Sequence, residues 1–152
     1  MSAKTEKALP PLKLDPALTL PNKAVLVDPS KLPGKYANKY TTGPFMLPQN
    51  THSLNWNLLN NDSTPQKVRV TVFKCWIASQ KTLEPPGPLE ITLNPNESTH
   101  NANKAVGGFC YEIQVETNSK LVFPSVEAWP GSIGDVIPGT EIRAAQFLRQ
   151  MI

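Results

Sequence analysis

A chain of 152 residues with 39% hydrophobic and 18% charged residues carries enough apolar mass for one compact domain and too much for a disordered polymer. A net charge of +3, with no run of arginine and lysine interleaved with aromatics, excludes nucleic acid as an expected partner. No stretch of about 18 apolar residues occurs, and "MSAKTEKALPPLK" lacks the apolar centre of a secretory signal, so the expectation is synthesis in the cytoplasm, no membrane partner and no Sec signal peptide.

Residues 1–40 read as an extended, Pro-rich N-terminal arm or connector. Eight of the sixteen prolines fall in the first 48 residues, and seven lysines there face only Glu6, Asp15 and Asp28, which concentrates the positive charge in this segment. Between the prolines stand two short strand-like pieces. "LTL" sets Leu18 and Leu20 on one face, and "AVLV" sets Val25 and Val27 on one face with Ala24 and Leu26 on the other. A lone short strand leaves its backbone groups unpaired, so each piece needs a host sheet, either in its own body or in a neighbour.

Residues 41–152 read as a β-sandwich domain. "HSLNWNLLN" places Leu54, Trp56 and Leu58 on one face and Ser53, Asn55 and Asn57 on the other. After the turn "NNDSTPQ", "KVRVTVFKCW" places Val68, Val70 and Val72 on one face, with Arg69, Thr71, Phe73 and Cys75 opposite. "LEITLNPNES" is a short strand with Leu89, Ile91 and Leu93 inward, followed by a turn at "NPNE". "GGFCYEIQVETNS" has the clearest alternation, with Phe109, Tyr111, Ile113 and Val115 against Cys110, Glu112, Gln114 and Glu116. "KLVFPSVEAWP" continues extended, and Pro124 marks it as an edge strand or a bulge because proline cannot donate to a ladder. "GSIGDVIPG" is irregular. In "TEIRAAQFLRQMI", Ile142, Ala145 and Leu148 fit a helix while Ile142, Ala144, Leu148 and Ile152 fit a strand; with strands all round it, a closing strand is expected. Six or seven short strands at turn spacings near ten residues describe an all-β antiparallel sandwich or jelly roll.

The inventory for catalysis is thin. His52 and His100 stand alone, the two cysteines form no CxxC pair, and no "GxSxG" frame occurs, so no catalytic residue, cofactor or metal ligand is expected, and the chain reads as a non-enzyme. Cys75 and Cys110 both fall opposite the apolar rows of their strands. If those strands are neighbours, a disulfide across the outer surface is within reach; if not, each is open to bridging another subunit, and two reduced thiols are the plain alternative. Of the tryptophans, Trp56 shares a face with Leu54 and Leu58 and belongs to the core, whereas Trp76 and Trp129 fall near strand ends, where core and binding roles are both open.

The segments "TGPFMLPQNTHSLNWNLLNNDS", "KVRVTVF", "LNPNEST", "YEIQVET", "FPSVEAW" and "VIPGTEI" resemble those of small β-sandwich proteins of spore-forming Bacillus-type bacteria, and the overall plan resembles endospore appendage fibre subunits. The resemblance spans residues 42–152. It implies a self-assembling, homopolymeric structural subunit, joined head to tail by its N-terminal connector into a spore-surface or comparable extracellular fibre, with an anchoring or tip protein as a further partner. Connectors of that kind commonly carry cysteines that bridge subunits. This arm has none, so the linkage would rest on strand donation anchored by Leu18, Leu20, Val25 and Val27, and any covalent link on Cys75 or Cys110. The same architecture also suits a monomeric or low-oligomer module binding a carbohydrate or a protein, or a phage or capsid decoration protein with a symmetric ring.

Overall fold

The alternating segments become two facing antiparallel sheets, and their shared apolar side is the core. The computed structural model describes residues 25–26, 36–76, 78–85, 87–131 and 136–150. The larger sheet contains β1 (Val25–Leu26), β2 (Asn38–Thr41), β3 (Phe45–Met46), β5 (Gln66–Cys75), β6 (Thr82–Leu83), β7 (Leu89–Leu93), β9 (Cys110–Thr117) and β11 (Leu148–Gln150). Its order is β1-β7-β5-β9-β2-β11, with β3 added to β9 and β6 to β5. The smaller sheet is β10 (Val122–Trp129), β4 (Ser53–Asn60) and β8 (Ser98–Lys104), in the order β10-β4-β8. Among the described residues there is no α-helix, and one 3-10 turn spans Ala144–Gln146.

Period-two alternation fills the space between the sheets. Leu54, Trp56 and Leu58 from β4 and Val122, Val126 and Ala128 from β10 meet Val68, Val70 and Val72 from β5, Leu89, Ile91 and Leu93 from β7, and Tyr111, Ile113 and Val115 from β9 in one buried cluster. Trp56 is fully buried, and its Nε1 donates to Asn103 Oδ1 at 3.0 Å, so its one polar group is satisfied inside the core. β10 runs unbroken through Pro124 and lies at the end of its sheet, so of the two options for that proline the edge strand is the one realised.

Four differences from the sequence reading have physical reasons. β8 has no apolar alternation, but Asn101 and Asn103 occupy its inward positions and are buried there; Asn103 bonds Trp56 and donates to the Pro85 carbonyl at 3.0 Å, a polar substitute for an apolar row. β2 straddles the 40/41 boundary drawn from composition, pairing with β9 and β11 deep in the larger sheet. Phe109 lies just before β9 and is exposed, because the sandwich ends at Tyr111. The last segment is a strand only in part: Ile142 bridges Val126, the chain then turns at Ala144–Gln146, and β11 adds to β2 with Phe147 buried and Leu148 exposed.

Candidate functional site

Two places in the larger sheet gather the residues of interest, one at each end of β5. At the first, β1 pairs with the outer edge of β7, Val25 opposite Glu90 and Leu26 opposite Leu89. The strand pairs through its backbone, with Val25 left 64% exposed and Leu26 covered in part at 36%. Leu18, Leu20 and Val27 lie outside the described residues. Directly beside this edge, the Arg69 guanidinium is buried on the outer face of the sheet between two carboxylates, 3.2 Å from Glu90 and 3.4 Å from Glu116. The Tyr36 ring lies 4.8 Å from the guanidinium carbon, and its hydroxyl donates to Glu90 Oε2 at 2.7 Å. Burial, together with that bond to an anionic acceptor, pushes the Tyr36 hydroxyl far above its ordinary range. Glu90 goes the other way: burial opposes its charge, but the hydrogen bonds from Tyr36 and Arg69 outweigh it and hold the carboxyl below the usual glutamate value.

The other sheet edges are less open to a strand. On the outer side of β10, Val126 exchanges hydrogen bonds of 2.9 and 2.8 Å with Ile142, Ala128 accepts from Ile137 at 2.8 Å, and Pro124 has no N–H to offer. β11 is three residues long, and β8 presents the polar run "STHNANK". The β7 edge therefore stands apart as a five-residue strand of alternating apolar and polar residues whose partner on that side, among the described residues, is two residues long.

At the other end of β5 the register brings the two cysteines together. Cys75 and Cys110 are direct partners at the last rung between β5 and β9, on the face that also carries Phe73 and Glu112. Both thiols are free and half-buried. Burial first, then the neighbouring Cys110 thiol by charge and by hydrogen bonding, pushes the Cys75 thiol up to about 11. Beyond this rung, Trp76 and Phe109 meet edge to face with ring centroids 6.0 Å apart. Lys74 Nζ lies 4.6 Å from the Trp76 ring centre and 3.9 Å from that of Phe109, and both rings remain exposed. The sequence could show the two cysteines, but only the register shows them facing one another.

Between these two places the outer face carries a second buried polar group. Glu112 accepts from Thr41 and from Lys81 at 2.6 Å each and from Gln114 at 3.0 Å. Burial works against its charge, and the bonds from Lys81, Thr41 and Gln114 overcome it, holding the carboxyl below the ordinary range. His52 lies just before β4 and His100 on β8 opposite Asn57, and no group of three or more His, Cys, Asp or Glu residues is placed to hold a metal among the described residues. Trp129 is half-buried, its Nε1 bonded to Glu127 at 2.8 Å. A largely apolar hollow of about 360 Å³ is lined by Tyr40, Val122, Phe123, Pro124 and Phe147, together with Lys120.

No family model and no curated protein matches the chain. Among solved structures, the chain is similar to the crystal structure of Thermotoga maritima 1070, at 15% identity and TM-score 0.43, over 78% of this chain and 93% of that one. It is also similar to the Anabaena sensory rhodopsin transducer, at 12% identity and TM-score 0.38, over 63% of this chain and 82% of that one. Likenesses this distant add nothing to the functional reading.

Proposed function

We propose that the chain is a non-enzymatic structural subunit that joins its neighbours by donating its N-terminal arm, head to tail, to the β7 edge of the next sandwich, building a surface fibre of the spore-appendage kind. The observation that supports this is β1: it is a two-residue strand that pairs with β7 through its backbone while Val25 stays largely uncovered and Leu26 is covered only in part. A strand that gains so little from its own body loses little by making the same pairing with a second copy, which is the energetic condition for exchange between subunits. Nine residues, 27–35, separate β1 from Tyr36. Extended at about 3.3 Å each they reach on the order of 30 Å, comparable to the width of one such domain. Repeated head-to-tail contacts that no rotation closes continue as an open filament. The spore-surface setting rests on the resemblance in sequence alone.

The test compares the full chain with one lacking residues 1–35, because Tyr36 and β2 belong to the body. Negative-stain electron microscopy with light scattering should show fibres from the full chain and folded monomers from the truncated one. Truncated chain added in small amounts should shorten the fibres, since it accepts an arm and donates none. A monomeric full chain, or fibres that form equally well without the arm, would refute the proposal. The exposed Trp76–Phe109 pair with Lys74 favours a second reading, a carbohydrate- or protein-binding module with an aromatic platform; Trp76→Ala should then abolish retention on a glycan array, and an array without hits removes the carbohydrate form of that reading.

A further inference from the structure

We infer that Cys75 and Cys110 are a reversible dithiol–disulfide pair that closes within one chain, tying β5 to β9, rather than a link between subunits. The register carries this. Val72 accepts the Glu84 N–H from the β6 side, and Ile113 accepts the Thr42 N–H from the β2 side. Main-chain groups alternate sides along a strand, so three residues further along each strand the backbones of Cys75 and Cys110 face one another as a hydrogen-bonded pair. Such pairs stand about 5.5 Å apart at Cα, inside the range of about 4.4–6.8 Å that disulfides span. The two side chains leave the same face of the sheet, and both thiols are free and half-buried there.

The same geometry makes the bond a reducible one. Opposed β-carbons in a hydrogen-bonded pair stand near the wide end of about 4.5–5.5 Å, and a relaxed disulfide prefers about 3.8 Å, so closure draws the ends of β5 and β9 together. A low-molecular-weight disulfide such as oxidised glutathione is the oxidant. One cysteine thiolate attacks a sulfur of that disulfide, forming a mixed disulfide and releasing one glutathione thiolate; the second cysteine thiolate attacks the protein-side sulfur, forming the Cys75–Cys110 bond and releasing the other. Two protein thiols are oxidised, one small disulfide is reduced, and the two protons pass to the two released thiolates. Burial keeps the Cys75 thiolate scarce at neutral pH, so closure should be slow there and quicken about tenfold per pH unit over the alkaline range below about 11. The bond forms next to Trp76 and Phe109, which follow and precede the two cysteines in sequence. It leaves neither sulfur for a neighbour, so fibres of this chain would be no more soluble with reductant than without. The inference itself does not depend on the arm and holds for a monomer equally.

The experiment uses the folded full chain, reduced and then equilibrated at several pH values with mixtures of glutathione and oxidised glutathione, quenched with acid, treated with N-ethylmaleimide and weighed intact. The expected end state carries no maleimide, weighs two hydrogens less than the reduced chain, migrates as a monomer without reductant and reverts with dithiothreitol. Cys75→Ser and Cys110→Ser should each stop at a single glutathione adduct or a single maleimide. A wild-type chain that finishes with two maleimides, with two glutathiones, or as a disulfide-linked dimer overturns the inference.

Discussion

The Arg69 cluster offers the sharpest test of how the arm edge is built. Arg69→Ala removes a guanidinium whose side chain is only 3% exposed, and it leaves Glu90 and Glu116 facing the vacated space with side chains 16% and 19% exposed. Breaking a buried ion pair by deleting one partner costs roughly 3–5 kcal/mol, because the remaining charge loses its compensation. Here the carboxylates retain some water, which pulls the figure down, while the lost contact with the Tyr36 ring adds about 0.5–1 kcal/mol. The net expectation is about 3 kcal/mol, a large share of the 5–15 kcal/mol typical of a domain. With a urea slope near 2 kcal/mol/M, the midpoint should fall by about 1.5 M with the slope unchanged.

A second measurement separates charge from packing. Glu90 is held below the ordinary glutamate value, so in the wild type its contribution is present above that value of about 4.3 and is lost as pH falls through the lowered one. In Arg69→Ala the Tyr36 hydrogen bond remains but the guanidinium that also holds Glu90 low is gone, so acid should harm the variant less than the wild type, and the gap between them should narrow as pH falls below about 4.3. Adding Glu90→Gln and Glu116→Gln to Arg69→Ala should recover part of the loss at neutral pH. A midpoint shift worth less than about 1 kcal/mol, or a gap that widens on acidification, would refute the account of Arg69 as the neutralising centre of this edge.

Glu112 supplies a parallel titration: because its carboxyl is held low by Lys81, Thr41 and Gln114, wild-type stability should decline below about pH 4.3, and Glu112→Gln should be less stable at pH 7 yet show a shallower acid slope in denaturant melts. Gly107→Ala would drive a methyl into the main-chain carbonyls of Pro48 and Gln49, so it should lower the melting temperature more than Gly139→Ala, where a φ of +81° is strained but the space is open. Equal melting temperatures for the two variants would show that the loop before β9 yields more easily than its packing indicates.

How much of this was legible beforehand divides along one physical line. Alternation reports which residues face an apolar layer, and it placed Leu54, Trp56, Leu58, Val68, Val70, Val72, Tyr111, Ile113 and Val115 in the core because the second sheet supplies that layer. It is silent about a polar layer. Arg69, Thr71, Glu112 and Gln114 have the composition of a solvated face, yet they are buried, and what holds them there is mutual satisfaction: guanidinium between carboxylates, carboxylate between a lysine, a hydroxyl and an amide. Such pairing depends on which strands are neighbours and in what register, and neither is written in the period of one strand. β8 escaped notice for the same reason, its inward places being filled by asparagines that bond Trp56 and the Pro85 carbonyl. So did the facing of Cys75 and Cys110, which a shift of one residue between β5 and β9 would have undone. The arm posed the opposite difficulty. The spacing of "AVLV" showed that the piece needs a host sheet but not which one; the structure pairs Val25 and Leu26 with the β7 edge by their backbone, leaving Val25 largely exposed and Leu26 covered in part.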